Sequence, residues 1–192
     1  MELKDKIIVV TGAASGIGKA MAARFAAEGA KQGVCADLNL KGAEKTAREV
    51  KGIAAEVDVS REDQIAGLID WVEREVGPID LFCSNAGILT LGGTEVANGD
   101  WQRIWEVNVM HHVWAARHLV PRMAARGGGY FLNTASAAAY LPSRSLPAYA
   151  TTKAAVLMLS QCLRAELAGA GVGVTALCPG FVDTPITGAT RF

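Results

Sequence analysis

The sequence carries no net charge, its 19 lysines and arginines being balanced by 19 aspartates and glutamates. With no long basic run either, there is no electrostatic ground for a nucleic-acid or anionic-membrane partner. No apolar stretch reaches the roughly 18 residues that a membrane-spanning helix requires. A strand expected from Lys6 leaves no room ahead of it for a secretion signal, so a cytoplasmic location is expected. Cysteine is scarce. Cys35, Cys83, Cys162 and Cys178 stand far apart and form no CxxC pair, so the expectation is buried free thiols in a reducing compartment. The three histidines all fall within residues 111–118, away from the cysteines, which speaks against zinc. Internal repeats, low-complexity segments and linkers are also missing. A single domain over residues 1–192, with a sizeable core, is therefore expected.

About half of the residues are hydrophobic, and they are arranged in a regular alternation. Short apolar runs predict strands at residues 6–11, 33–37, 54–59, 79–84, 129–135 and 172–178. Helical patterns lie between them at 16–28, 41–51, 62–76, 100–126 and 146–168. Several strands read as nearly continuous apolar runs, as expected when both faces are covered. Strand–helix alternation of this kind predicts a parallel sheet with helices on both faces. Right-handed crossovers then narrow the topology to a doubly wound α/β fold.

The first strand is followed by Thr11-Gly12-Ala13-Ala14-Ser15-Gly16-Ile17-Gly18. Glycines in a strand-to-helix turn let backbone approach a ligand, and the helix start offers free N–H groups to a phosphate. A Walker-type loop is excluded. It needs glycine where Ala13 stands and a hydroxyl where Ala20 stands. Asp37 ends the second strand, where a carboxylate can accept both hydroxyls of an adenosine ribose. The same carboxylate repels a 2′-phosphate. At about 5 Å and an effective dielectric near 20 the repulsion costs roughly 3 kcal/mol, more than a hundredfold in affinity. No arginine follows in Leu38-Asn39-Leu40, so NAD(H) is expected over NADP(H).

Tyr149-Ala150-Thr151-Thr152-Lys153 falls in a predicted helix, which puts Tyr149 and Lys153 on one face. A phenol of pKa near 10 is a poor base at neutral pH, and lowering it by about 3 units takes roughly 4 kcal/mol. An ammonium at about 4 Å supplies that much, whereas burial opposes it. The positive ring of an oxidised nicotinamide would then assist. Ser136 ends the fifth strand thirteen residues before Tyr149, at the sheet edge where such folds hold their ligands. Asn85-Ala86-Gly87 and Pro179-Gly180 end the fourth and sixth strands at the same edge.

Taken in order, these segments resemble the classical short-chain dehydrogenase/reductase family along essentially the whole chain. Asp58-Val59 resembles the family's adenine-side pair, and Asn108 in Trp105-Glu106-Val107-Asn108-Val109 its catalytic helix asparagine. The resemblance implies a Rossmann-like sheet of order 3-2-1-4-5-6. It also implies an acid–base set of Ser136, Tyr149, Lys153 and Asn108. In that set Tyr149 moves the proton, Ser136 holds the substrate oxygen, and Lys153 lowers the tyrosine pKa and binds ribose. Asn108 would hold a water linking Lys153 to solvent. Cofactor contacts are implied at Gly12, Ser15, Gly16, Ile17, Gly18, Asp37, Asp58, Val59, Asn85, Ala86, Gly87, Tyr149, Lys153, Pro179, Gly180, Val182 and Thr184, with Thr184 on the nicotinamide carboxamide. The implied substrate is a small alcohol or carbonyl compound, and the implied assembly a homodimer or homotetramer.

The resemblance also implies a substrate-covering segment and a seventh strand that have no counterpart in this sequence, so an exposed sheet edge is expected after the sixth strand. Residues 89–96 and 143–147 are expected to line the substrate pocket, where Leu89, Leu91, Leu141 and Leu146 point to a nonpolar substrate. The adjacent His111 and His112 are expected to face different directions. They and His118 are given packing or interface roles, as are Trp101, Trp105 and Trp114. Two rival readings share the fold: a nucleotide-binding regulator without chemistry, and an epimerase or dehydratase that retains its cofactor.

Overall fold

The computed structural model describes residues 1–188. Its centre is a six-stranded, all-parallel sheet. The strands are β1 (Ile7–Thr11), β2 (Gln32–Asp37), β3 (Ile53–Glu56), β4 (Leu81–Ser84), β5 (Gly129–Thr134) and β6 (Val172–Leu177). Their order is β3-β2-β1-β4-β5-β6, the doubly wound order expected from the sequence. One row of side chains shows the register. Val34, Val9, Phe82, Phe131 and Val174 pair in turn across five strands.

That row faces α3 (Glu62–Trp71), α5 (His111–Ala125) and α6 (Pro147–Glu166), which contribute Ile65, Leu68, Ile69, Leu119, Met123 and Leu163 to one core. The alternate residues Ile8, Val10, Cys35, Leu81 and Cys83 face α1 (Gly16–Ala27) and α2 (Leu40–Val50) through Ala22 and Ala47. β1 is buried along its full length, which is why its sequence is apolar without alternation. Local chemistry sets the boundaries. The Asn39 side chain accepts the Gly42 N–H at 3.1 Å and starts α2, and Lys51, in the left-handed region at φ 54°, ends it.

The sequence expectations differ from the fold in three ways. The third strand stops at Glu56 instead of residue 59, because Asp58 turns the chain by accepting the Ser60 N–H and hydroxyl. Val57 and Val59 still reach the core. Two predicted helices contain a π-helical turn: 62–76 ends in one at Val72–Val76, and 100–126 is broken by one at Glu106–Met110 between α4 (Asn98–Trp105) and α5. Finally, only Cys35 and Cys83 are deeply buried. Cys178 is half-buried, and Cys162 is exposed on α6. No helix among the described residues is long and apolar enough to cross a membrane.

Candidate active site

The winding of the sheet reverses between β1 and β4, and a cleft of about 320 Å³ opens there at the carboxyl ends of the strands. Its floor is tied together by Thr11. The Thr11 hydroxyl donates to Cys83 O at 3.1 Å and accepts the N–H groups of Asn85 and Ala86 at 2.9 and 3.2 Å. The Asn85 amide donates to Thr11 O at 3.0 Å and accepts from the Thr134 hydroxyl at 3.1 Å. The ends of β1, β4 and β5 are thereby held in one arrangement.

The glycine loop is required by geometry. Gly12 has φ +69°, and a Cβ there would lie 2.8 Å from Ala86 Cα. A Cβ on Gly18 would lie 2.1 Å from Gly12 O, so Gly18 is a packing glycine of the turn and does not line the cleft. The first turn of α1 holds no acidic residue, and the Ser15 side chain makes no capping bond. Ser15, Gly16 and Ile17 line the cleft, leaving a helix N-terminus ready for an anion. Asp37 accepts the Ala14 and Asn39 N–H groups, both at 2.9 Å, one on each oxygen. Each oxygen retains accepting capacity, and Asp37 lines the cleft. Donor set, glycine cradle and helix end together fit a dinucleotide.

Across the cleft, α6 begins at Pro147, which is preset for the first helical turn. Tyr149 and Lys153 then line the cleft from one helical face. The Lys153 Nζ lies 5.7 Å from the Tyr149 ring centroid and donates to Thr134 O at 2.8 Å. Burial pushes the Lys153 pKa down to about 8. The Tyr149 phenol is pushed up by burial and drawn partly back by its hydrogen bond with Ser136. The direction here is upward, from burial, and Ser136 supplies the opposing pull. Ser136 itself accepts the Ala138 N–H at 3.1 Å, which fixes its hydroxyl at the start of the short 3-10 turn Ala137–Ala139.

Asn108 sits on the π-helical turn and is fully buried. Its carbonyl oxygen accepts the Ile88 N–H at 2.8 Å. Both amide hydrogens are engaged, on Ile88 O at 3.0 Å and the Thr152 hydroxyl at 3.2 Å. The side chain therefore pins the segment after β4, and its amide has no hydrogen left to hold a water. A Cβ on Gly87 would lie 3.3 Å from Asn108 Oδ1 and 3.5 Å from Lys153 Nζ, so Gly87 packs closely against both groups.

Of the remaining expected residues, Asp58, Val59, Asn85, Ala86, Gly87, Pro179 and Thr184 line the cleft. Gly180 and Val182 do not, and both are exposed. The loops 89–96 and 143–147 also stay out of it. They join each other through Gly92 N–H to Ser145 O at 3.0 Å, with Leu91 and Leu141 exposed. The histidine expectation is corrected too. The rings of His111 and His112 are both buried and lie 4.1 Å apart. His111 Nδ1 donates to Val107 O at 2.6 Å, and His112 Nδ1 meets Asn133 Oδ1 at 3.2 Å. Both are packing residues held neutral by burial, with His111 pushed down to about 4. His118 sits against Glu62 at 3.1 Å.

Sequence reasoning missed Leu38, Val57, Ile88, Arg103, Val107, Thr134 and Ala135, all of which line the cleft. Most adjoin a recognised motif, so proximity was the available signal. Arg103 adjoins none. Its only signal is its place one helical turn before Val107.

This is the arrangement of a nicotinamide-nucleotide oxidoreductase fold, and the chain belongs to the short-chain dehydrogenase family. The profile of that family, described as short chain dehydrogenase, matches residues 6–191. A 1-deoxy-11-beta-hydroxypentalenate dehydrogenase of Streptomyces exfoliatus is 42% identical over 195 residues, covering 97% of this chain and 70% of the relative. A probable oxidoreductase, EphD, of Mycobacterium tuberculosis is 41% identical over 98% of this chain, which spans 33% of that relative's length. Among solved structures, a short chain dehydrogenase/reductase from Burkholderia phymatum in complex with NAD superposes with a TM-score of 0.94 at 34% identity. It covers 100% of this chain, which spans 71% of that one.

Proposed function

We propose that this chain binds NAD(H) and interconverts a secondary alcohol and its ketone, with Tyr149 as the group that moves the proton. The observation that carries the reading is that Tyr149 and Lys153 line the same cleft as Asp37, with Ser136 hydrogen-bonded to Tyr149. When bound, the nicotinamide supplies a hydride acceptor for oxidation and a hydride donor for reduction. Asp37 would accept the ribose hydroxyls of NAD(H) and repel the 2′-phosphate of NADP(H). The N–H groups at Gly16 and Ile17 would hold the diphosphate. Asp58 and Val59 would meet the adenine, and Thr184 the carboxamide.

In oxidation the Tyr149 phenolate takes the alcohol proton while Ser136 donates to the substrate oxygen and steadies its charge. In reduction the neutral phenol returns that proton to the forming alkoxide. Lys153 holds the ribose and lends positive charge to the phenolate state. Asn108 keeps the segment after β4, with Gly87, in place above Lys153. The relative named as a hydroxypentalenate dehydrogenase supports a hydroxyl-bearing substrate. We include in the proposal a homodimer or homotetramer formed through α4, on which Trp105 is 37% exposed.

The test is a panel of secondary alcohols and ketones, followed by the absorbance of reduced cofactor. Turnover with NAD at a kcat/KM at least a hundredfold above that with NADP is expected. A preference for NADP would remove the Asp37 argument. Tight NAD binding without turnover on any substrate would favour a non-catalytic regulator.

A further inference from the structure

Seven arginines, Arg24, Arg48, Arg61, Arg74, Arg117, Arg122 and Arg126, are ion-paired to carboxylates. Arg103 makes no ion pair or side-chain hydrogen bond with any described residue, yet it lines the cleft. Of the residues lining that cleft, Arg103 and Lys153 are the two cations. Lys153 is committed to Thr134 O.

The position of Arg103 follows from helix geometry. It stands four residues before Val107, on the same helical face. Val107 packs in one apolar cluster with Val57 and Val59, the residues flanking Asp58. Arg103 lines the same cleft as Val57, Asp58, Val59 and Val107. It also stands five residues before Asn108, about 7 Å along the helix axis from the lysine side of the site. Asp37 and Asp58 would be its natural partners. Neither pairs with it: Asp37 accepts two backbone N–H groups and Asp58 accepts from Ser60. What remains is an exposed planar cation lining a cleft whose apolar lining includes Leu38, Val59 and Val107. A guanidinium has a flat, weakly hydrated face that stacks on aromatic rings, which an ammonium lacks.

We propose that Arg103 is a binding residue for the adenosine half of the cofactor, its guanidinium stacking on an adenine held against Val59 and Val107. The proposal rests on the dinucleotide reading of the cleft. It gives the adenine end a lid from α4, the helical stretch that also leads to Asn108.

The test is calorimetric titration of the full chain with ADP-ribose, which needs no substrate and no turnover. Arg103 is exposed and unpaired, so its replacement leaves the core untouched. Arg103→Ala is expected to weaken ADP-ribose binding about tenfold. Arg103→Lys should weaken it nearly as much, and the loss should persist from low to high salt. Full affinity in Arg103→Lys, with a loss in Arg103→Ala that vanishes at high salt, would mean a charge contact to phosphate and would overturn stacking. Unchanged affinity in Arg103→Ala, with tight binding by the parent, would overturn the role of Arg103 alone. Failure of the parent chain to bind ADP-ribose would instead overturn the dinucleotide reading and, with it, this proposal.

Discussion

At the scale of single residues, the environment of Tyr149 sets the pH behaviour of the site. Burial raises the phenol above its ordinary value, so the phenolate is the minority form near neutrality. Alcohol oxidation, which needs the phenolate, should therefore gain about tenfold in kcat/KM per pH unit below that pKa. Ketone reduction, which needs the phenol, should stay level across the same range. Parallel pH profiles in the two directions check this, and a flat oxidation profile would contradict it. His111 gives a second prediction, in stability. Its folded pKa of about 4 lies below the 6.5 of an unfolded histidine. The unfolded chain then binds the extra proton between those values, so stability is lost as pH falls from 6.5 to about 4. The loss from this group is on the order of 3 kcal/mol. Urea midpoints at pH 7 and pH 4.5 should differ less in His111→Gln than in the parent. An equal difference in both would show that His111 does not titrate in this way.

At the scale of elements, the glycine turn and the helices give opposite expectations for one kind of substitution. Gly18→Ala places a Cβ 2.1 Å from a backbone oxygen of the same turn. It should lower stability by about 2 kcal/mol or more and abolish cofactor binding. Gly67→Ala, exposed on α3 with nothing within 4 Å of the new Cβ, should raise stability by about 0.5–1 kcal/mol. Thermal melts and nucleotide titrations of both variants decide the matter. The elements also show where the sequence was legible. Strand positions could be read because β1, β4 and the centre of β2 are covered on both faces and so are written as short apolar runs. The π-helical turns could not. Val72–Val76 and Glu106–Met110 carry ordinary helix-forming residues. The second turn is supported by a tertiary device, the Asn108 side chain bonded to Ile88 and Thr152. The histidine pair was misread for the same reason, since neighbours on a helix splay apart unless two walls of a core press their rings together.

At the scale of the whole molecule, the doubly wound topology followed from alternation and crossover handedness, the strand order from the family resemblance, and the proposed catalytic trio from strand-end and helix-face placement together with that resemblance. Three features depended on contacts between segments far apart in sequence and left no local mark. They are the Thr11–Asn85–Thr134 bonding that ties three strand ends, the full engagement of Asn108, and the presence of Arg103 in the cleft. The row across the sheet runs through Phe82 and Phe131, both fully buried in the larger core. Phe82→Ala should cost about 3–5 kcal/mol, read as a shift in the denaturant midpoint with unchanged slope.

The central claim is that Tyr149 moves the proton on a cofactor-bound substrate. The most direct measurement compares the parent and Tyr149→Phe, taking kcat with a secondary alcohol and NAD together with the dissociation constant for NAD. The account predicts a fall in kcat of about a thousandfold with NAD affinity nearly unchanged. A Tyr149→Phe variant that turns over as fast as the parent would contradict it.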